Sequence, residues 1–146
     1  MKRFLMVMMV WCAMFCLMMV ATFAWALPGI PNGTVTDGNL VWLQNANCFG
    51  DQTWNQAMLN AASLKSGSCG LTDGSKAGQW RLPTKDELVR RQQSQQGFNN
   101  IQGNVYWSSS TYEGTSFAYS VNMSNGKVGF DAKGHSFYVW PVRSRQ

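Results

Sequence analysis

Four cations, Lys127, Lys133, Arg143 and Arg145, stand within the last twenty residues of the chain among Phe130, Phe137, Tyr138 and Trp140. Ammonium and guanidinium groups pair with sulfate or carboxylate, and exposed rings stack on the apolar faces of sugars. Arginine suits bidentate contact with an oxyanion best. The pattern points to recognition of an anionic polymer, with Lys133, Tyr138, Arg143 and Arg145 as the candidate ligand-binding residues. A structural reading competes with it: Trp42, Trp54, Trp80 and Trp107 are expected in the core, and Arg143 can instead hydrogen-bond loop carbonyls.

Catalytic chemistry finds less support. The single histidine, His135, follows Lys133-Gly134 in an expected turn, and a hydrolase would need it joined to a nucleophile and an orienting acid. Ser108, Ser109, Ser110 and Asp131 supply the residue types, but no Gly-x-Ser-x-Gly elbow accompanies them. The acidic residues at 37, 51, 73, 86, 87, 113 and 131 are scattered, so no oxygen-ligand cage is legible. The expectation is a protein that is not an enzyme and uses no cofactor or metal.

The chain of 146 residues opens with Lys2-Arg3, an apolar run from Phe4 to Trp25, and Ala24-Trp25-Ala26. A basic start, apolar centre and small-x-small site describe a signal peptide over residues 1–26, cut after Ala26. The run is also long enough to span a bilayer, which keeps an uncleaved anchor as the alternative. Residues 27–146 then form a single domain that is secreted, periplasmic or held at the cell surface, touching membrane only through its N-terminal segment. Without Lys2 and Arg3, the 12 basic residues fall to 10 against 7 acidic ones, a charge of about +3. That is too sparse for a phosphate-binding stripe, so nucleic acid is not an expected partner despite a whole-chain pI near 9.2. Seven of the 9 methionines leave with the signal, so the Met-rich composition says nothing about a binding surface. Cys12 and Cys16 leave too, and Cys48 and Cys69 remain as an even pair for which a disulfide is the expectation in an oxidising compartment. A redox or metal-binding pair would want Cys-x-x-Cys spacing or a nearby His.

Elements able to position these groups are legible in order. Thr34–Thr36 and Leu40–Leu43 flank Asp37-Gly38-Asn39 and read as a hairpin. A helix is expected from about residue 54 to 64, opened by a capping-box spacing from Thr53 to Gln56. The Gly-rich stretch 65–79 reads as a surface loop tethered by Cys69. Trp80–Leu82 reads as a strand stopped by Pro83. Thr84 then caps a second helix, Lys85 to about Gln93, with Glu87 at the reciprocal position. Arg90 and Arg91 read as a solvated helix face, with an anion site as the alternative. Strands follow at Val105–Ser109, at Ser116–Met123 with one face half buried, and at Lys127–Asp131 after the Asn125-Gly126 turn. A last strand runs from Ser136 to Arg143, irregular or at an edge near Pro141. A hairpin, two helices and an antiparallel meander make an α+β domain.

Asn32-Gly33-Thr34-Val35-Thr36-Asp37, Trp80-Arg81-Leu82-Pro83-Thr84-Lys85-Asp86-Glu87-Leu88, Tyr106-Trp107-Ser108-Ser109 and Val142-Arg143 together resemble the Lcl C-terminal domain family, named for the end domain of a Legionella collagen-like adhesin. The likeness covers nearly all of the chain after residue 30. It implies a C-type-lectin-like fold, two short helices on antiparallel strands with long loops, and, as in the named member, binding of sulfated polysaccharides. The Glu-Pro-Asn, Gln-Pro-Asp and Trp-Asn-Asp motifs of calcium-dependent lectins do not occur. Formylglycine-generating enzymes share a related architecture but act through active-site cysteines, so that activity is the lesser reading. The expectation is a binding module for extracellular or cell-surface polysaccharide. A structural or protein-interaction domain of a surface assembly, with a surface protein or further copies of itself as partner, is the alternative.

Overall fold

The computed structural model describes residues 32–114 and 116–146. The expected signal peptide, its cleavage after Ala26 and the alternative anchor lie outside the described residues. The described chain is α+β: two helices and eight strands, the strands divided between two sheets.

Asp37-Gly38-Asn39 turns β1 (Thr34–Asp37) into β2 (Leu40–Leu43), with Gly38 at φ +56°. The hairpin becomes a three-stranded sheet when β8 (Val142–Ser144) pairs antiparallel with β2. The second sheet has the order β3-β7-β4-β5-β6. Its strands are β3 (Asp51–Thr53), β4 (Val105–Thr111), β5 (Phe117–Asn122), β6 (Val128–Ala132) and β7 (Ser136–Tyr138).

The expected meander holds only for β4-β5-β6. After β6 the chain returns to the far side of β4, where β7 lies parallel to β4 and antiparallel to β3. The expected strand Ser136–Arg143 is therefore two strands in different sheets, and Val139-Trp140-Pro141 carries the chain between them. Pro141, which cannot donate to a ladder, offers its carbonyl to Leu43 N–H at 3.1 Å. The Trp140 indole donates to Leu43 C=O at 2.8 Å, closing the crossing from the other side. Trp80–Leu82 is likewise not a strand. Only Arg81 bridges, exchanging two backbone hydrogen bonds of 2.9 Å with Val142 before Pro83 ends the pairing.

Helix α1 (Trp54–Ser63) buries Ala57 and Ala61 against Trp107, Ala118 and Val139. Its expected capping box does not form. Thr53 sits at the cap position but makes no side-chain cap; β3 runs directly into the helix, and the Trp54 N–H donates to Lys133 C=O at 3.1 Å. Helix α2 (Lys85–Gln93) has the full box: Thr84 Oγ1 accepts from Glu87 N–H at 3.2 Å, and Glu87 Oε2 accepts from Thr84 N–H at 2.7 Å. Leu88 is buried with Tyr106, Val121, Trp42, Trp80 and Trp140 in the larger core cluster. The period-2 geometry of β4 thus sends Tyr106 to one core and Trp107 to the other. Trp42, Trp80 and Trp107 are buried as expected, whereas Trp54 is half buried.

One surface expectation is overturned. Arg90 is exposed, but Arg91 is 3% exposed. Its guanidinium lies 4.7 Å from the Phe98 ring and 5.0 Å from Trp42, donates to Ser94 C=O at 2.8 Å and pairs with Asp37. The helix face that carries it is turned onto the first hairpin rather than into water.

Candidate functional site

Three segments meet above the first hairpin. Gln44 N–H donates to Gly33 C=O at 2.8 Å, and Asn99 N–H donates to Gln44 C=O at 3.0 Å. Ala46 N–H donates to Asn99 C=O at 3.0 Å, which makes Asn45 and Asn99 a parallel bridge between otherwise irregular loops. The Gly-rich loop closes the third side. A Cβ on Gly33, whose φ is +78°, would lie 2.4 Å from Gly70 C=O, so only glycine permits the loop to pack this closely. Cys69 is bonded to Cys48, as expected, and ties that loop to the segment after β2.

The resulting cleft holds about 270 Å³ and is lined by Gly33, Gln44, Asn45, Cys69, Gly70, Asn99 and Asn100. None of these side chains carries a charge. Three of the four amides are oriented from within: Asn45 Oδ1 accepts from Asn47 N–H and from Asn100 Nδ2, each at 3.1 Å. Gln44 Nε2 donates to Gly97 C=O at 3.2 Å. Asn100 stands at φ +56°, a conformation asparagine tolerates better than most residues. Gln44 Oε1, Asn45 Nδ2 and both polar atoms of the Asn99 side chain make no hydrogen bond among the described residues. The cleft therefore presents donors and acceptors side by side, those of Gln44, Asn45 and Asn100 held in place, a set that complements adjacent hydroxyls.

The residues proposed from sequence lie elsewhere and do not gather. Lys133, between β6 and β7, holds its ammonium 4.0 Å from the Trp54 ring centroid. Tyr138 on β7 is half buried and packs tilted on Tyr106 at 5.4 Å. Burial is the main cause that pushes the Tyr106 hydroxyl up to about 12, and Gln102 N–H donates to it at 2.8 Å. Arg143 belongs to the other sheet, where it contacts Asp73 at 3.0 Å and lies 5.3 Å from the Trp80 ring. Burial opposes ionisation of Asp73, but hydrogen bonds from Ser75 and from Arg143 outweigh it and hold the carboxyl below its usual range. Arg145 is exposed, its backbone N–H bonded to Asn39 C=O at 2.8 Å.

His135 is exposed in the β6–β7 turn, with Nδ1 3.7 Å from Asp131 Oδ1. The Ser108 hydroxyl donates to Tyr119 C=O at 2.8 Å and the Ser120 hydroxyl to Asp131 Oδ2 at 3.0 Å. Asp131 thus stands between a serine and the histidine, an order different from that of a base activating a nucleophile. No group of three or more His, Cys, Asp or Glu side chains converges among the described residues.

Sequence reading missed the amide cleft. Its only local signals were Asn45, Asn99 and Asn100 in loops far apart along the chain. The model of the Lcl C-terminal domain family matches residues 33–143. No curated protein matches the chain.

Proposed function

Because the chain belongs to the Lcl C-terminal domain family, whose members are surface- or adhesin-associated domains, we propose that it is an exported, non-enzymatic module that binds extracellular or cell-surface polysaccharide. The observation that carries this reading is the uncharged cleft whose amides, Gln44, Asn45, Asn99 and Asn100, offer unpaired donors and acceptors at its rim. Sugar hydroxyls are donors and acceptors at once, and a primary amide can bridge two neighbouring ones. The disulfide supports the export part, since such bonds persist in oxidising compartments. An anionic variant of the ligand would draw on Lys133 and Arg145, because Arg143 already has a carboxylate partner.

A glycan array with neutral and sulfated polysaccharides tests the reading. The double substitution of Gln44→Ala and Asn99→Ala is expected to weaken the best neutral ligand about tenfold, roughly 0.5–1.5 kcal/mol for each lost hydrogen bond. Unchanged binding by this variant would remove the cleft as the site. Retention on a sulfated column that falls with added salt and with Lys133→Ala and Arg145→Ala would support the anionic variant. No retention on any polysaccharide would sink the reading as a whole. The protein-interaction alternative draws support from one feature, the exposed apolar outer strand β6.

A further inference from the structure

Among the described residues, three of the four exposed large hydrophobic side chains share one end of the five-stranded sheet: Phe117 at 40%, Val128 at 40% and Phe130 at 50% exposure. The register sets Tyr119 opposite Phe130 and Val121 opposite Val128, so all five occupy one face. Tyr112 lies flat on Phe130 at 4.1 Å, and Phe117 meets Phe130 edge-on at 6.3 Å. β6 is an outer strand. Its ladder to β5 is fixed at the two ends by Lys133 N–H to Ser116 C=O at 3.0 Å and Asn122 N–H to Lys127 C=O at 2.9 Å. Antiparallel alternation then turns the backbone groups of Gly129 and Asp131 toward β5, and those of Val128, Phe130 and Ala132 away from it. Among the described residues the outward groups of Val128 and Phe130 have no partner, and such groups beside an apolar face are a template for another strand.

We propose that β6 pairs antiparallel with β6 of a second copy of this chain, about a twofold axis at Gly129. Self-complementarity selects both the occupant and the register. Only registers that oppose Val128, Phe130 and Ala132 to one another satisfy the outward backbone groups. With the axis at Gly129, Val128 exchanges both hydrogen bonds with Phe130 of the second copy. Lys127, exposed, comes opposite Asp131 of the second copy, and symmetry repeats the pair. An axis at Phe130 would oppose Lys127 to Lys133, like charges at cross-strand distance. An axis at Val128 would leave Lys127 facing Gly129. At the chosen axis Gly129 offers no side chain, and the backbones approach to about 4.5 Å as a non-hydrogen-bonded pair. Val128 and Phe130 of the two copies then merge their apolar faces.

Sedimentation of the full chain across a concentration series is expected to show a monomer–dimer equilibrium. Gly129→Cys is expected to give a reducible covalent dimer under mild oxidation, because each new thiol faces its own counterpart. The substitution fits: a Cβ there would meet Ser120 Oγ at 3.5 Å and Asp131 Oδ2 at 3.7 Å, ordinary contacts. Val128→Cys, whose partner is Phe130, is expected to cross-link far less, and the unsubstituted chain controls for Cys12 and Cys16. Lys127→Asp should weaken the dimer about tenfold, and adding Asp131→Lys should restore it. A monomer at every concentration, or cross-linking at Val128 equal to that at Gly129, overturns the proposal. Gly129→Cys decides the matter even where Phe130→Asp, the obvious disrupting variant, fails to fold. Particle mass involves no polysaccharide, so this proposal and the one above fail separately.

Discussion

Glu87 does two things with one carboxylate. It caps α2 through Thr84 N–H, and it takes a bidentate contact from Arg81, with Nη1 to Oε2 at 2.8 Å and Nη2 to Oε1 at 2.9 Å. The Arg81 hydrogen bond is the largest cause holding its carboxyl below the usual range, with burial opposing. A carboxyl lowered on folding contributes stability that is fully present above its unfolded value, here 4.5, and lost as pH falls through the lower folded one. Glu87→Gln is therefore expected to cost about 1 kcal/mol at neutral pH, a figure reduced for the 41% exposure of Arg81, with the gap to the unsubstituted protein closing in acid. Urea melts at several pH values read this directly, and a gap that widens in acid would refute it. The cap was legible because Thr84 and Glu87 are three residues apart. Arg91 was not, because its partner Asp37 is 54 residues away and nothing local distinguishes it from Arg90. Gly33 makes a second test at this scale. Gly33→Ala is expected to cost more than about 1 kcal/mol, from the positive φ and the Gly70 carbonyl together. A melting temperature unchanged from the parent would show that the loop can retreat.

At the level of elements, patterns confined to one segment were read well and partnerships between segments were not. The Asp-Gly turn, both helices and the β5–β6 hairpin announce themselves through residues a few positions apart. β3 did not, since its three residues have no alternating pattern and become a strand only by pairing with β7. The break between β7 and β8 was visible only as Pro141, read as an irregular strand end rather than as a passage from one sheet to the other. Trp140 occupies that passage, packed edge-on against Phe98 at 4.9 Å and Trp42 at 5.5 Å. Trp140→Ala is expected to cost about 3–5 kcal/mol, the range for emptying a buried aromatic site. Tryptophan fluorescence during chemical unfolding measures it, and a loss below about 1 kcal/mol would mean the sheets join without it.

For the molecule as a whole, the disulfide links stability to the cleft. It closes a loop across a sequence separation of 21, for which a constraint on the unfolded chain predicts a contribution of about 3 kcal/mol. Replacing both Cys48 and Cys69 by Ser should lower stability by about that amount and loosen Gly70 from Gly33, so the proposed polysaccharide binding should fall even where the protein stays folded. A variant that melts early yet binds normally would separate the bond from the site. The Gly-rich loop was legible as a long surface loop, the kind of place where a ligand is met, but the amides of the cleft were not, because its lining comes from three loops that adjoin only after folding.

The passage of the chain through Trp140 also sets an order in time. The Trp140 indole and its acceptor on Leu43 are 97 residues apart, and the outer strand that completes the first sheet, β8, is made long after its partner β2. The β1–β2 hairpin cannot complete its sheet until β8 has been delivered. Contacts between such distant segments slow the search for the native state. A chain emerging N-terminus first therefore holds this hairpin with its second edge open until β8 has been made.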